Sequence, residues 1–98
     1  MVVNRDDVRN LVTETIREIL GEKEGVEIDE QTNPIRGLGL GSDDGVDFAS
    51  GISEKLKYDI PNEINPFVDD THHRPRRVGE IVDLLYKLLT AEGEKSHV

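Results

Sequence analysis

The chain contains no cysteine. That one absence removes disulfides, a thiolate nucleophile and a cysteine zinc site, and leaves apolar packing to hold 98 residues together. Long apolar runs are missing too: nothing approaches the roughly 18 unbroken residues of a membrane span. The opening residues, Met1-Val2-Val3-Asn4-Arg5-Asp6, have no basic stretch followed by an apolar one. No signal peptide is therefore expected, and the protein reads as cytoplasmic. Positive charge is scarce: 12 Lys and Arg stand against 21 Asp and Glu, a net charge of -9 and a pI of about 4.7. Phosphate would be repelled, which argues against nucleic acid as the main partner and suits partners with basic patches. Simple solubility explains the same charge. Hydrophobic residues make up only 35%, so a single small core is expected.

What is present reads as helices. Asn4 is a candidate N-cap for a helix over residues 5–20, with Asp6 and Asp7 at its positive end. Val8, Leu11, Val12, Thr15, Ile16, Ile19 and Leu20 recur on one face, and Gly21 follows as a stop. Residues 21–41 form a long connection. Glu22-Lys23-Glu24-Gly25 and Asn33-Pro34 carry its turn chemistry, and Ile28, Ile35, Leu38 and Leu40 are expected to pin it to the core.

A second helix is predicted from Ser42 to Lys57. Ser42 is its N-cap, Asp43 and Asp44 lie in the first turn, and Tyr58-Asp59-Ile60-Pro61 ends it. Its expected buried face is Val46, Ala49, Ile52, Ser53 and Leu56, with Phe48 at the border. Gly45 and Gly51 weaken it by roughly 1 kcal/mol each against alanine. Asn65-Pro66 then predicts a short helical turn over Phe67-Val68-Asp69-Asp70. A basic, proline-broken loop, Thr71 to Arg77, leads to a last helix over residues 76–90. That helix carries the apolar stripe Val78, Ile81, Val82, Leu85, Leu88 and Leu89, with Leu84 and Tyr86 beside it. Residues 91–98 read as a flexible tail on a single domain of residues 1–90. No strand is expected. The sum is an all-α fold, a small helical bundle of three main helices and one short one.

Three short motifs carry chemistry. Leu38-Gly39-Leu40-Gly41-Ser42-Asp43-Asp44-Gly45-Val46-Asp47-Phe48 resembles the signature of acyl carrier proteins. Ile60-Pro61 resembles the isoleucine-proline that follows helix two in that family. Arg77-Val78-Gly79-Glu80-Ile81 resembles the opening of its last helix. The likeness covers residues 5–90 in element order. It implies a four-helix bundle that is not an enzyme. It also implies a serine, here Ser42, that a phosphopantetheinyl transferase loads with 4′-phosphopantetheine from coenzyme A. The added thiol would carry acyl groups between acyl-transferring or synthase enzymes of fatty acid and related lipid metabolism. The resemblance places the docking of their basic patches on Asp43, Asp44, Asp47 and Glu54, and implies a monomer.

The chain departs from the family pattern at three places. Gly41 replaces an aspartate, Asp43 replaces a leucine, and the segment from Pro61 to Val78 is longer than usual. These departures point to a specialised carrier with its own partners, or to an unmodified carrier-like module that docks by its acidic face. From Asp43 to Asp70 eight acids face two bases, a net of -6, whereas Thr71 to Arg77 carries +3. That basic spot is a candidate steering site for one partner.

Blander readings stand beside these. Ser42 can be a helix cap and nothing more. Gly37-Leu38-Gly39-Leu40-Gly41 lacks the lysine and the preceding strand of a phosphate-binding loop. Asp69, Asp70, His72 and His73 form a weak metal candidate without a second cluster. Phe67 and Val68, with Val46, Gly51 and Ile52, either belong to the core or line an acyl pocket. A hydrolase or transferase would need a serine-histidine-acid arrangement, and no spacing supports one.

Overall fold

Three helices and a pair of two-residue strands make up the regular structure among the described residues. The computed structural model describes residues 4–21, 26–57, 60–61, 64–69 and 73–95, with side chains to residue 90. The first helix, α1, spans Arg5–Leu20. Asn4 caps it as expected: its side-chain oxygen accepts the Asp7 N–H at 2.8 Å. Gly21 closes it at φ 73°, where its N–H reaches the Arg17 carbonyl.

The second helix, α2, spans Asp44–Leu56, and the third, α3, spans Val78–Lys95. α1 packs on both. Val8, Val12 and Ile16 of α1, Phe48 and Ile52 of α2, and Val78, Ile81, Val82 and Leu85 of α3 close one core with Ile60 and Phe67. Ile28, Ile35, Leu38 and Leu40 pack against it from the long connection. Leu84 and Leu88, placed in or beside the predicted stripe, stand outside this core. Arg5 ties α1 to α3 through Asp83, and Lys55 ties α2 to α1 through Glu18 and the Thr15 hydroxyl.

The long connection is built from turns. Asp29 Oδ1 accepts the N–H groups of Gln31 and Thr32. Asn33 Oδ1 accepts those of Ile35 and Arg36, and Pro34 after it is fully buried. Glu22 to Gly25 lie outside the described residues.

The predicted helical turn over Phe67–Asp70 is not formed by Phe67, Val68 and Asp69, the described residues of that stretch. The chain forms one turn at Asn65-Pro66-Phe67, and then strand β1 (Val68–Asp69) pairs antiparallel with β2 (Arg74–Pro75). The Asn65 carbonyl accepts the Val68 N–H at 3.1 Å, a single helical step, and the Arg76 guanidinium shares that carbonyl and takes the Val68 carbonyl, which a continuing helix would use, at 3.2 and 3.1 Å. Pro75 forces Arg74 into extended backbone, and the Arg76 N–H then reaches the Phe67 carbonyl. Asp70, Thr71 and His72 lie outside the described residues. The expected helical fold is thus met by three helices, with a small antiparallel strand pair where no strand was expected and no fourth helix among the described residues.

Three helix boundaries also differ from expectation. α3 starts two residues later and continues to Lys95, so the helix enters the stretch read as tail. α2 begins at Asp44, and its inward face is rotated. Gly45, Phe48 and Ile52 are buried, whereas Val46 is 61% exposed. The Phe48 ring, expected at the border, meets Phe67 with centroids 5.1 Å apart. Tyr58 and Asp59, read as the stop, lie outside the described residues; Lys57 in left-handed backbone closes the helix.

Candidate functional site: the Ser42 junction

The chain reaches α2 through Gly39, whose φ of 76° suits a residue without a side chain. Residues 41–46 then close tight i to i+3 bonds: Asp44 N–H to the Gly41 carbonyl, Gly45 to Ser42, and Val46 to Asp43, each 3.1 Å. This geometry overturns the expectation that Ser42 caps the helix. Asp43 occupies the cap position already in helical backbone, and no side chain there caps. The carboxylate that does bond at this end belongs to Asp44, whose Oδ2 accepts the Gly41 N–H at 2.8 Å. Relieved of capping, the exposed Ser42 hydroxyl has no hydrogen-bond partner among the described residues.

The Ser42 backbone, by contrast, is held twice. Its carbonyl accepts the Gly45 N–H and also the side-chain amide of Asn65 at 2.8 Å. Asn65 presses so close to α2 that a Cβ on Gly45 would stand 2.0 Å from its Oδ1. Gly45 admits this position of the Asn65 side chain, despite its cost to helix propensity. Gly51 is explained in the same way, because its Cβ would meet the Thr15 methyl at 3.2 Å. Neither glycine leaves room for cargo. The sequence marks Asn65 only as a turn residue; a glycine inside a predicted helix was the signal that something approaches it.

Asp43, Asp47 and Glu54 are exposed and follow one another at steps of four and seven residues, so they share one outward stripe of α2 with Ser50. Glu54 stands about 15 Å along the helix from Asp44, at 1.5 Å per residue. Asp44 lies off the stripe, half-buried and turned to Gly41. Among the described residues the three stripe acids have no ion-pair partner. Lys55 does not neutralise them, since its ammonium lies 2.6 Å from Glu18 on α1.

Beside the stripe runs an open groove of about 580 Å³ lined by Val46, Ala49, Ser50, Ser53, Ile60, Pro61 and Ile64. Of the five residues weighed as an acyl pocket, only Val46 borders it. Phe67 and Ile52 are buried in the core, Val68 is in β1, and Gly51 faces α1.

The other candidates dissolve into structure. The N–H groups of Gly37 and Leu38 both go to the Asn33 carbonyl, so the glycine-rich loop does not present them to a phosphate. Of the metal candidates, Asp70 and His72 lie outside the described residues, and no group of three ligands occurs among the described ones. Asp69 stands 4.0 Å from Arg74. The basic spot is occupied: Arg74 forks onto Glu80 at 2.6 and 3.2 Å, Arg76 holds backbone carbonyls, and Arg77 donates to Gln31.

Electrostatic shifts fall at the entrance to α3. Arg74, followed by the Arg77 N–H, holds the Glu80 carboxyl below its ordinary value, and Arg5 does the same to Glu30. The two arginines are raised in turn. Glu80 accepts the Arg77 N–H at 3.0 Å, one half of a capping box. The Glu30 carbonyl accepts the Gly79 N–H, and a Cβ on Gly79 would lie 3.1 Å from that oxygen. The Val78-Gly79-Glu80 motif thus has a complete packing explanation.

No family model, curated protein or solved structure matches the chain. None of its helices, among the described residues, is long and apolar enough to cross a membrane.

Proposed function

We propose that this chain is a specialised carrier whose Ser42 bears 4′-phosphopantetheine. The observation that carries the reading is the division of labour at Ser42: a doubly held backbone and an exposed hydroxyl without a partner among the described residues. A group to be modified by a second protein must be presented this way. The prosthetic group supplies a thiol, which this cysteine-free chain lacks. In this reading the carrier fold is a variant in which the paired strands β1 and β2 stand where the family has its short helix. Asp43, Asp47 and Glu54 are its docking stripe for enzymes with basic patches, with Asp44 serving the loop instead. Its cargo is an acyl or related thioester.

Intact-mass analysis after incubation with coenzyme A and a broad-specificity phosphopantetheinyl transferase tests the reading. A gain of one phosphopantetheinyl group that Ser42→Ala abolishes is the expected result. No gain, or a gain that persists in Ser42→Ala, overturns it.

A second reading draws on the acidic stripe alone, unpaired among the described residues: an unmodified module that docks on a basic partner. Protein isolated from its native host distinguishes the two. Recovery of the loaded form excludes the module, and a stable complex of unloaded protein supports it.

A further inference from the structure

The carrier reading leaves open what keeps Ser42 in place, and the answer lies in a segment distant in sequence. Asn65 is 23 residues from Ser42, yet its carboxamide performs two tasks. Its Oδ1 accepts the Phe67 N–H at 3.0 Å, closing its own turn, and its Nδ2 donates to the Ser42 carbonyl. The platform under it is packed into the core. Pro66 and Phe67 are buried, Phe67 meets Phe48, and Arg76 grips the Asn65 carbonyl from beyond the hairpin. A Cβ on Gly45 would collide with the carboxamide, so α2 is shaped to admit it. The Ser42 carbonyl needs no second donor to form the helix start, since the Gly45 N–H already serves it. What the second bond adds is a fixed orientation of the serine backbone, and hence a fixed cone for its hydroxyl.

We infer that Asn65 is a positioning residue for modification of Ser42, an inference that rests on the carrier reading. In the transfer, the Ser42 Oγ bonds to the phosphorus that bears pantetheine. The phosphoanhydride bond of coenzyme A breaks, and its adenosine bisphosphate half leaves. The hydroxyl proton passes to a base on the transferase. Asn65 touches none of these atoms. It raises the share of chains whose hydroxyl is already presented, and a smaller competent share raises the apparent dissociation constant in proportion.

Two variants separate the tasks of Asn65. Asn65→Asp keeps an oxygen for the Phe67 N–H and loses the donor to Ser42. Asn65→Ser keeps a shorter turn-forming oxygen that does not reach Ser42. Each is followed by thermal unfolding, by amide hydrogen exchange at Gly45 in the unloaded protein, and by transferase kinetics with coenzyme A read as mass gain. The expected result is Gly45 exchange roughly tenfold faster and a KM for the carrier about tenfold higher, with kcat unchanged. If Asn65→Asp melts more than about 10 °C lower, Asn65→Ser alone decides. Wild-type KM in a folded variant, or unchanged Gly45 exchange, overturns the inference while leaving the carrier reading intact. An unmodified wild type overturns both.

Discussion

The entrances to α2 and α3 begin from similar sequence and end in opposite conditions. Each has a glycine in its first turn, an acid near it and a preceding loop that folds back. At α3 the polar groups are used within the chain. The Val78 and Gly79 N–H groups go to the Thr32 and Glu30 carbonyls, Glu80 goes to Arg77 and Arg74, and Arg77 goes to Gln31. At α2 the backbone is held just as firmly, but the Ser42 hydroxyl and the carboxylates of Asp43 and Asp47 face solvent. One entrance builds the fold; the other is fixed in place and left available. A helix start with acidic residues is thus not a site by itself. The difference lies in which side chains the fold has already engaged.

The comparison can be broken most severely from beneath. Phe67→Ala removes the ring that supports both Phe48 and the Asn65 turn, and a loss of about 3–5 kcal/mol is expected in urea denaturation. A loss under 1 kcal/mol would mean that the platform under Ser42 is not the core. Next, Gly79→Ala and Gly45→Ala both gain helix propensity, yet both are expected to destabilise by about 1–3 kcal/mol through overpacking. The clash at Gly45 is with a side chain that can swing, and at Gly79 with the Glu30 backbone. Gly45→Ala should therefore also quicken amide exchange across residues 41–46, and Gly79→Ala should not.

Glu80→Gln is expected to cost about 0.5–1 kcal/mol, as an exposed pair that also serves a cap. Its pH signature is sharper. A carboxyl held below its ordinary 4.5 contributes stability that is complete above that pH and lost as pH falls through the lowered value. Stability followed by urea midpoint should be level near neutrality, decline below about pH 5, and decline less steeply in Glu80→Gln. An unchanged slope would show that the Arg74 pair does not persist in solution. The smallest effect is expected at the other entrance. Ser42→Ala should change stability by less than about 0.5 kcal/mol, because the hydroxyl caps nothing. A loss of 1 kcal/mol or more would return Ser42 to the role of cap.

Much of the scaffold was legible in the residues. α1 came through with its cap, its face and its stop, because local chemistry settles each: Asn4 bonds three residues on, the apolar spacing is regular, and Gly21 takes a positive φ. The pinning residues of the long connection followed from their hydrophobicity alone. The candidate site was legible as a place, Ser42 between a glycine-rich loop and an acidic helix, but its internal roles were not. Asp44 bonds Gly41, Ser42 caps nothing, and Val46 faces outward while Phe48 faces in. Ring packing against Phe67 and the approach of Asn65 set that rotation, and neither is encoded nearby. The strand pair was hidden for the same reason, since one of its supporting donors, Arg76, acts on carbonyls 8 and 11 residues away.

The sequence by itself determined the apolar spacings of the helices, the acidic surface, the absence of any thiol and the position of an accessible serine. Each of these depends on residue identity or on neighbours within a turn. Only the tertiary structure decided which glycines admit a neighbour, which arginines are already engaged and what holds Ser42 still. Those outcomes depend on groups brought into contact by the packing of distant segments, at a register that no local propensity specifies.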